Sequence, residues 1–421
     1  MKTSTLICLS LLVGAGALSN AAAQPAHTDA NPATLYYQAF LLAPDPMSEA
    51  DSDYLASKEG RTQKLPERFD KIFAGYDNQF KLVRQAAQSS APCDWGIDFS
   101  PGPATLLPHL ARVKAVAVAS RFRVVWELQH DRQADARDDL LASLALSRNV
   151  ARDGTLISAL VQIASESINC WNVAENFGQF SPETLQQLAA GLEALPPRTT
   201  VAQCVPTEKA LFGDWLLRKI VELQKANPGD DAKVMAALRE LFPSFDNPEQ
   251  MEPSVWAKLS QDAGGTSEGV AKLIRDSEAS SQKLALILAL PHGPYELQMA
   301  KFKAEVAQVA NPFISNFLTG VERARMREFR VLVFLAQVRA AIEYKLHGEA
   351  GLQTVADPCG QGPFGFRRFV FEGIDRGFEL SSAYDMAGNN GVIIFVEKEG
   401  PPFRVGGPFA GQAITNSVPR K

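Results

Sequence analysis

The residues able to catalyse a reaction or hold a metal are few in this chain. Asp94 and Asp98 flank Trp95 in the run Cys93-Asp94-Trp95-Gly96-Ile97-Asp98. Two carboxylates about 5–9 Å apart can cleave a glycosidic bond, one as acid and the other as base or nucleophile. His109, in Leu107-Pro108-His109-Leu110, completes the candidate catalytic set of an extracytoplasmic hydrolase. The plainer reading makes Asp94 and Asp98 part of a polar loop pinned by Cys93 and Trp95. His109 then caps or packs the start of a helix. A second pattern, Gly265-Thr266-Ser267-Glu268-Gly269, fits G-x-S-x-G. That elbow needs a buried strand before the serine and a helix after it. The preceding residues are polar and helix-like, so Ser267 reads as a helix N-cap. The chain has five histidines and no H-E-x-x-H. Glu343 and His347 lie one helical turn apart, but two ligands without a third do not make a metal site. No P-loop, dinucleotide fingerprint or EF-hand loop is present. No cofactor is expected.

The elements that would position these groups are mostly helices. A short helix is predicted over 31–43, ended by Pro44 and Pro46, and a longer one over 66–88 with Pro66 in its first turn. A polar stretch, 47–64, separates them. From Leu106 onward apolar residues recur at three- and four-residue spacing: Leu110, Val113, Ala117, Val124 and Leu128. Leu140, Leu141 and Leu144, then Ile157, Leu160 and Val161, continue the pattern. Such helices are apolar on one side only and must bury it against a neighbour. Short connections favour antiparallel hairpins. Ser181-Pro182-Glu183 opens a helix to 195, and further helices are predicted over 207–225, 231–242, 253–262, 267–290, 296–309 and 319–346. Near Phe364 the pattern turns to short aromatic strands separated by glycines. A Gly/Pro-rich tail from 399 to 421 reads as mobile.

Lys2, an apolar run from Leu6 to Leu18 and Ala21-Ala22-Ala23 have the order of a secretory leader, residues 1–23. The run is shorter than the roughly 20 apolar residues that span a bilayer, so no membrane span is expected after its removal. This places the chain as secreted or periplasmic. Cys93, Cys170, Cys204 and Cys359 would remain in an oxidising compartment, where thiols tend to pair. Three connectivities are open. Cys170–Cys204, nearest along the chain, is favoured, leaving Cys93 with Cys359. A net charge of −5 with both signs interspersed gives no footprint for nucleic acid.

The C-terminal third carries a resemblance. Its phrases are Arg339-Ala340-Ala341-Ile342-Glu343-Tyr344-Lys345-Leu346-His347-Gly348, Asp357-Pro358-Cys359-Gly360, Phe364-Gly365-Phe366-Arg367 and Gly377-Phe378-Glu379-Leu380-Ser381-Ser382, then Asp385 and Asn389-Asn390-Gly391. They resemble secreted bacterial proteins of uncharacterised function whose C-terminal segment is similar to the globular part of type II secretion pseudopilins. The resemblance implies an alanine-rich helix, a D-P-x-G turn and a small antiparallel sheet. It also implies a calcium loop, to which Asp385, Asn389 and Asn390 correspond. The later acidic residues of that loop are missing here, and Asn-Gly equally suits a tight turn. No prepilin leader or long apolar N-terminal helix is present.

The expected architecture is therefore mainly α: antiparallel helical hairpins, with a small C-terminal antiparallel β-sheet packed on a long helix. Its parts are a leader (1–23), an N-terminal helical segment and loop (24–103), a helical body (104–318), the pseudopilin-like helix and sheet (319–398) and the tail (399–421). The expected function is non-catalytic binding or assembly with a protein partner of the cell envelope. The alternatives are the hydrolase and a calcium-stabilised structural module.

Overall fold

The computed structural model describes residues 30–241, 254–309, 311–386 and 389–414. The leader expected at 1–23 lies outside the described residues. The chain is mainly helical, with one three-stranded antiparallel sheet near its C-terminus.

Asn31 accepts a hydrogen bond from the Ala33 amide and starts α1 (Pro32–Leu41), whose first residue, proline, has no amide to satisfy. The polar stretch after it forms two short helices, α2 (Glu49–Ala56) and α3 (Lys58–Thr62). The single helix expected over 66–88 is two, α4 (Arg68–Ala74) and α5 (Asp77–Ala87), which break at Gly75-Tyr76. The body is built on α6 (His109–Gln129), α7 (Gln133–Asn149) and α8 (Leu156–Glu175), joined by short turns. Ser181 caps α9 (Pro182–Glu193) as expected, accepting from the Thr184 amide. A capping box of Thr200 and Gln203 opens α10 (Val201–Lys209). That helix runs through one π-turn, Ala210–Asp214, into α11 (Trp215–Ala226).

Next come α12 (Asp231–Glu240) and α13 (Ser254–Asp262). The helix expected over 267–290 breaks at Ser277 into α14 (Ser267–Asp276) and α15 (Glu278–Leu288). After α16 (His292–Val309), Asn311 caps α17 (Pro312–Leu352), which starts seven residues earlier than expected and breaks at Gly348 (φ 67°, ψ −152°). Then β1 (Gly365–Phe371), β2 (Ile374–Met386) and β3 (Asn389–Val396) form a meander in that order.

The sheet is covered on both faces. Opposite residues Phe378/Phe395 and Leu380/Ile393 face the helices. The Phe177 ring, just past α8, meets Phe378 and Phe395 edge-on, with centroids 5.7 and 5.2 Å away. Gln337 of α17 donates to the carbonyls of Leu380 and Gly391 at 2.8 and 2.5 Å. On the other face the tail folds back, with Phe403 and Val405 buried and the Ile394 amide bonded to the Val405 carbonyl at 2.8 Å. The segment expected to be mobile is thus docked as far as Ile414, because its aromatic and β-branched residues have an apolar face to cover.

One hydrophobic core runs from α6–α9 through α15–α17 into the sheet. A second joins α1, α5 and Trp95 to α6–α8, and a third lies among α11–α14. The boundaries expected at 103/104 and 318/319 therefore do not separate cores. Charges are buried between the helices in two clusters. Asp139 accepts from Arg84 and Arg123 at 2.5 and 2.6 Å, and Glu127 Oε1 lies 3.0 Å from Arg123 Nη2. Elsewhere Glu166 is held by Arg148 and Arg198, and Glu328 by Arg198 and Arg325. Among the described residues no helix is long and apolar enough to cross a membrane.

Candidate functional site

The candidate catalytic residues Asp94, Asp98 and His109 are each engaged in local structure. Asp94 and Asp98 are exposed and serve their own turns. The Asp94 carboxylate accepts the Gly96 amide at 2.9 Å. Asp98 accepts both the amide and the hydroxyl of Ser100 at 2.8 Å, which holds its carboxyl below the usual range. His109 is fully buried at the start of α6, stacked on Trp95 with centroids 4.5 Å apart, and its Nε2 lies 3.4 Å from Asp153 Oδ2. That is the packing role.

Ser267 is no nucleophile elbow either, since α13 and not a strand precedes it. The N-cap is Thr266, one residue earlier than expected, and accepts from the Gly269 amide. The Ser267 hydroxyl donates to Asp231 and accepts from Gln224. Glu343 and His347 stand 3.7 Å apart. Of the calcium candidates, Asp385 sits at the exposed end of β2, its backbone opposite Asn390. The side chains of Asn389 and Asn390 lie outside the described residues. Among the described residues no three His, Cys, Asp or Glu side chains gather as metal ligands. In the turn Asp357-Pro358-Cys359-Gly360, Asp357 accepts from the Ser382 hydroxyl and the Ala383 amide at 2.8 and 2.7 Å.

The disulfides are a correction. Cys93, Cys170, Cys204 and Cys359 are all free thiols. Each expected pair is divided between cores: Cys170 and Cys359 pack with the main core, Cys93 and Cys204 with the one around α1. The Cys204 thiol donates instead to the carbonyls of Thr200 and Thr155. Burial pushes all four thiols up, Cys93 and Cys359 to about 12. Such thiols carry almost no thiolate at neutral pH.

What the fold does build is an apolar cavity of about 520 Å³ at the π-turn. Phe212 comes from the turn itself, Leu217 from α11, Trp256 and Leu259 from α13, and Phe313 and Phe317 from the start of α17. A π-turn fits one more residue than an α-turn and often marks a functional site. Here no residue of Ala210–Asp214 is fully buried. Phe212, Leu217, Trp256, Phe313 and Phe317 are all half-buried, although each would gain roughly another 1 kcal/mol from complete burial. Phe212 and Phe313 lie with ring centroids 6.2 Å apart. The rim is charged. Lys209 Nζ sits 2.7 Å from Glu278 and 3.5 Å from Asp214. The hydrogen bond between Lys209 and Glu278 raises the ammonium and lowers the carboxyl. Glu208 accepts the Leu156 amide at 2.6 Å, and burial raises its carboxyl.

The sequence reading missed these residues because they arrive from four separate elements. One signal was present. Asn311-Pro312 is an N-cap followed by proline at the first helical position, and starting the helix there brings Phe313 and Phe317 onto it. No protein-family model, curated protein or solved structure matches the chain.

Proposed function

We propose that this chain is an exported, non-catalytic binding protein whose cavity at the π-turn takes a small apolar molecule. The observation that carries the reading is the cluster of five half-buried apolar side chains around one hollow. Ligand pockets of about 300–1,000 Å³ are lined mainly by such groups, with a few polar ones at the mouth. A sealed core would not leave them part-covered, and Lys209, Asp214 and Glu278 would orient the polar end of a ligand. Export rests on the leader read in residues 1–23. The pseudopilin-like reading of the C-terminal region belongs to the same proposal, supported by the order of helix, D-P-x-G turn and antiparallel meander.

The test is a fluorescence titration with N-phenyl-1-naphthylamine, an uncharged aromatic probe. The wild-type chain should bind it saturably and with a change in tryptophan emission, since Trp256 lines the cavity. Gly213→Phe fills the cavity from its wall. A Cβ there meets only Ile274 Cγ2 at 3.5 Å and Lys209 Cγ at 3.9 Å, so the new side chain can leave the backbone without a clash. It should lose the probe at an unchanged melting temperature. Equal binding by both chains, or none by the wild type, would rule the site out.

A further inference from the structure

A second recess, about 550 Å³, lies between α3, the middle of α6 and the stretch that follows β3. Its floor is apolar, with Phe122 and Val125 from α6 facing Val396, Phe403 and Val405. Its walls are cationic: Arg61, Lys64, Arg121, Arg376 and Lys398 line it, against Glu175, Glu397 and Glu399. The cations outnumber the acids five to three, although Lys398 also lies 3.4 Å from Asp375. Glu175 is shared by two guanidiniums, at 3.0 Å from Arg61 and 2.6 Å from Arg121. Burial, opposed by Glu175 and aided by Arg121, holds the Arg61 guanidinium below its usual range. Glu397 is committed to Lys345 and Arg368, at 3.1 and 2.8 Å.

Arg376 is the decisive residue. It is 4% exposed, yet among the described residues no carboxylate pairs with it. Its Nε and Nη1 donate to the carbonyls of Lys398 and Pro401, and its charge sits over the Phe403 ring at 5.2 Å. A buried guanidinium without a counter-charge is costly, and buried charges are normally paired. Arginine's planar fork suits phosphate and carboxylate oxygens. In a chain of net charge −5, a recess with a surplus of cations concentrates anions locally.

We infer that this recess binds an organic anion, a phosphate monoester with an apolar body, the phosphate meeting Arg376 and the neighbouring cations and the body lying on Phe122 and Val125. The site is separate from the cavity at the π-turn and does not depend on it.

Calorimetric titration of the full chain with phenyl phosphate, inorganic phosphate and phenol tests this. Phenyl phosphate should bind saturably and more weakly as salt rises. Inorganic phosphate should bind more weakly still, and phenol not at all in this recess. Lys64→Glu with Lys398→Gln should lower the affinity for phenyl phosphate about tenfold with little change in melting temperature, since both side chains are exposed and the Lys398–Asp375 pair that is lost lies at the surface. Gly213→Phe should leave that affinity unchanged, which keeps the two sites distinguishable. Arg376→Gln should abolish binding; should it fail to fold, the lysine pair still decides. The inference fails if the wild type shows no saturable binding or the lysine variant binds equally well. It fails too if phenol, or inorganic phosphate, matches phenyl phosphate.

Discussion

Glu127 is a carboxyl group placed where its charge is least welcome. It is fully buried, Asp139 lies nearby, and its oxygens receive no hydrogen bond of normal geometry. Burial first and Asp139 second push it up to about 8, against the pull of Arg123 and Arg84. Between the ordinary value of 4.5 and about 8 the folded chain therefore holds a proton that the unfolded chain has released. Stability should fall as pH rises through that window and level off above it. Glu127→Gln keeps the shape and removes the charge. It should flatten this slope and add about 2 kcal/mol at pH 8 in urea unfolding, with little change at pH 5. A slope unaltered by the substitution would show that other groups set it. Nothing in the sequence marks Glu127, since its neighbours in space come from α5 and α7. For the same reason Asp94 and Asp98 looked more promising than they are. A short side chain in a loop finds its own backbone first, and spacing alone does not reveal that.

At the scale of elements, strong periodicity was legible and breaks within it were not. The helices between Leu106 and Trp171 follow from apolar residues at three- and four-residue spacing. The interruptions at Gly75-Tyr76 and Ser277 lie inside stripes that continue across them, so the pattern alone predicts one helix where there are two. The π-turn has no pattern of its own. The strands were visible in their alternation, but the close approach of β2 to β3 was not. Gly377 takes φ +143°, and a Cβ there would lie 2.0 Å from the Phe395 carbonyl oxygen. Gly377→Ala must push the strands apart at the open end of their ladder, where Gly377 lies opposite Val396, and should cost about 2–3 kcal/mol. The checks are the midpoint of chemical unfolding and amide exchange along β3, where a wild-type profile would contradict the register.

Over the whole molecule, the mainly α architecture with its sheet on a long helix could be read in advance, while the sharing of its cores could not. Phe177 belongs to the body and the aromatics it meets belong to the C-terminal sheet, so the two should unfold together. The ion network that crosses the same core ties α7, α8, the connection before α10, and α17. Arg198 touches Glu166 at 2.8 Å and Glu328 at 3.6 Å, and both carboxylates are buried. Arg198→Leu should cost about 3 kcal/mol by leaving two interior charges with one partner fewer, read as a single cooperative transition at lower urea. Two transitions would mean that sheet and body are independent.

The four unpaired cysteines have a practical consequence. With no disulfide among the described residues, that part of the chain has nothing to oxidise in order to reach its native state, so a reducing agent should leave the first melt untouched. On heating, however, three nucleophilic sulfurs hidden until then, and a fourth half covered, come out together in a sticky, opened polypeptide. Air would stitch such polypeptides to one another, and recovery on cooling should then depend on whether dithiothreitol was in the tube.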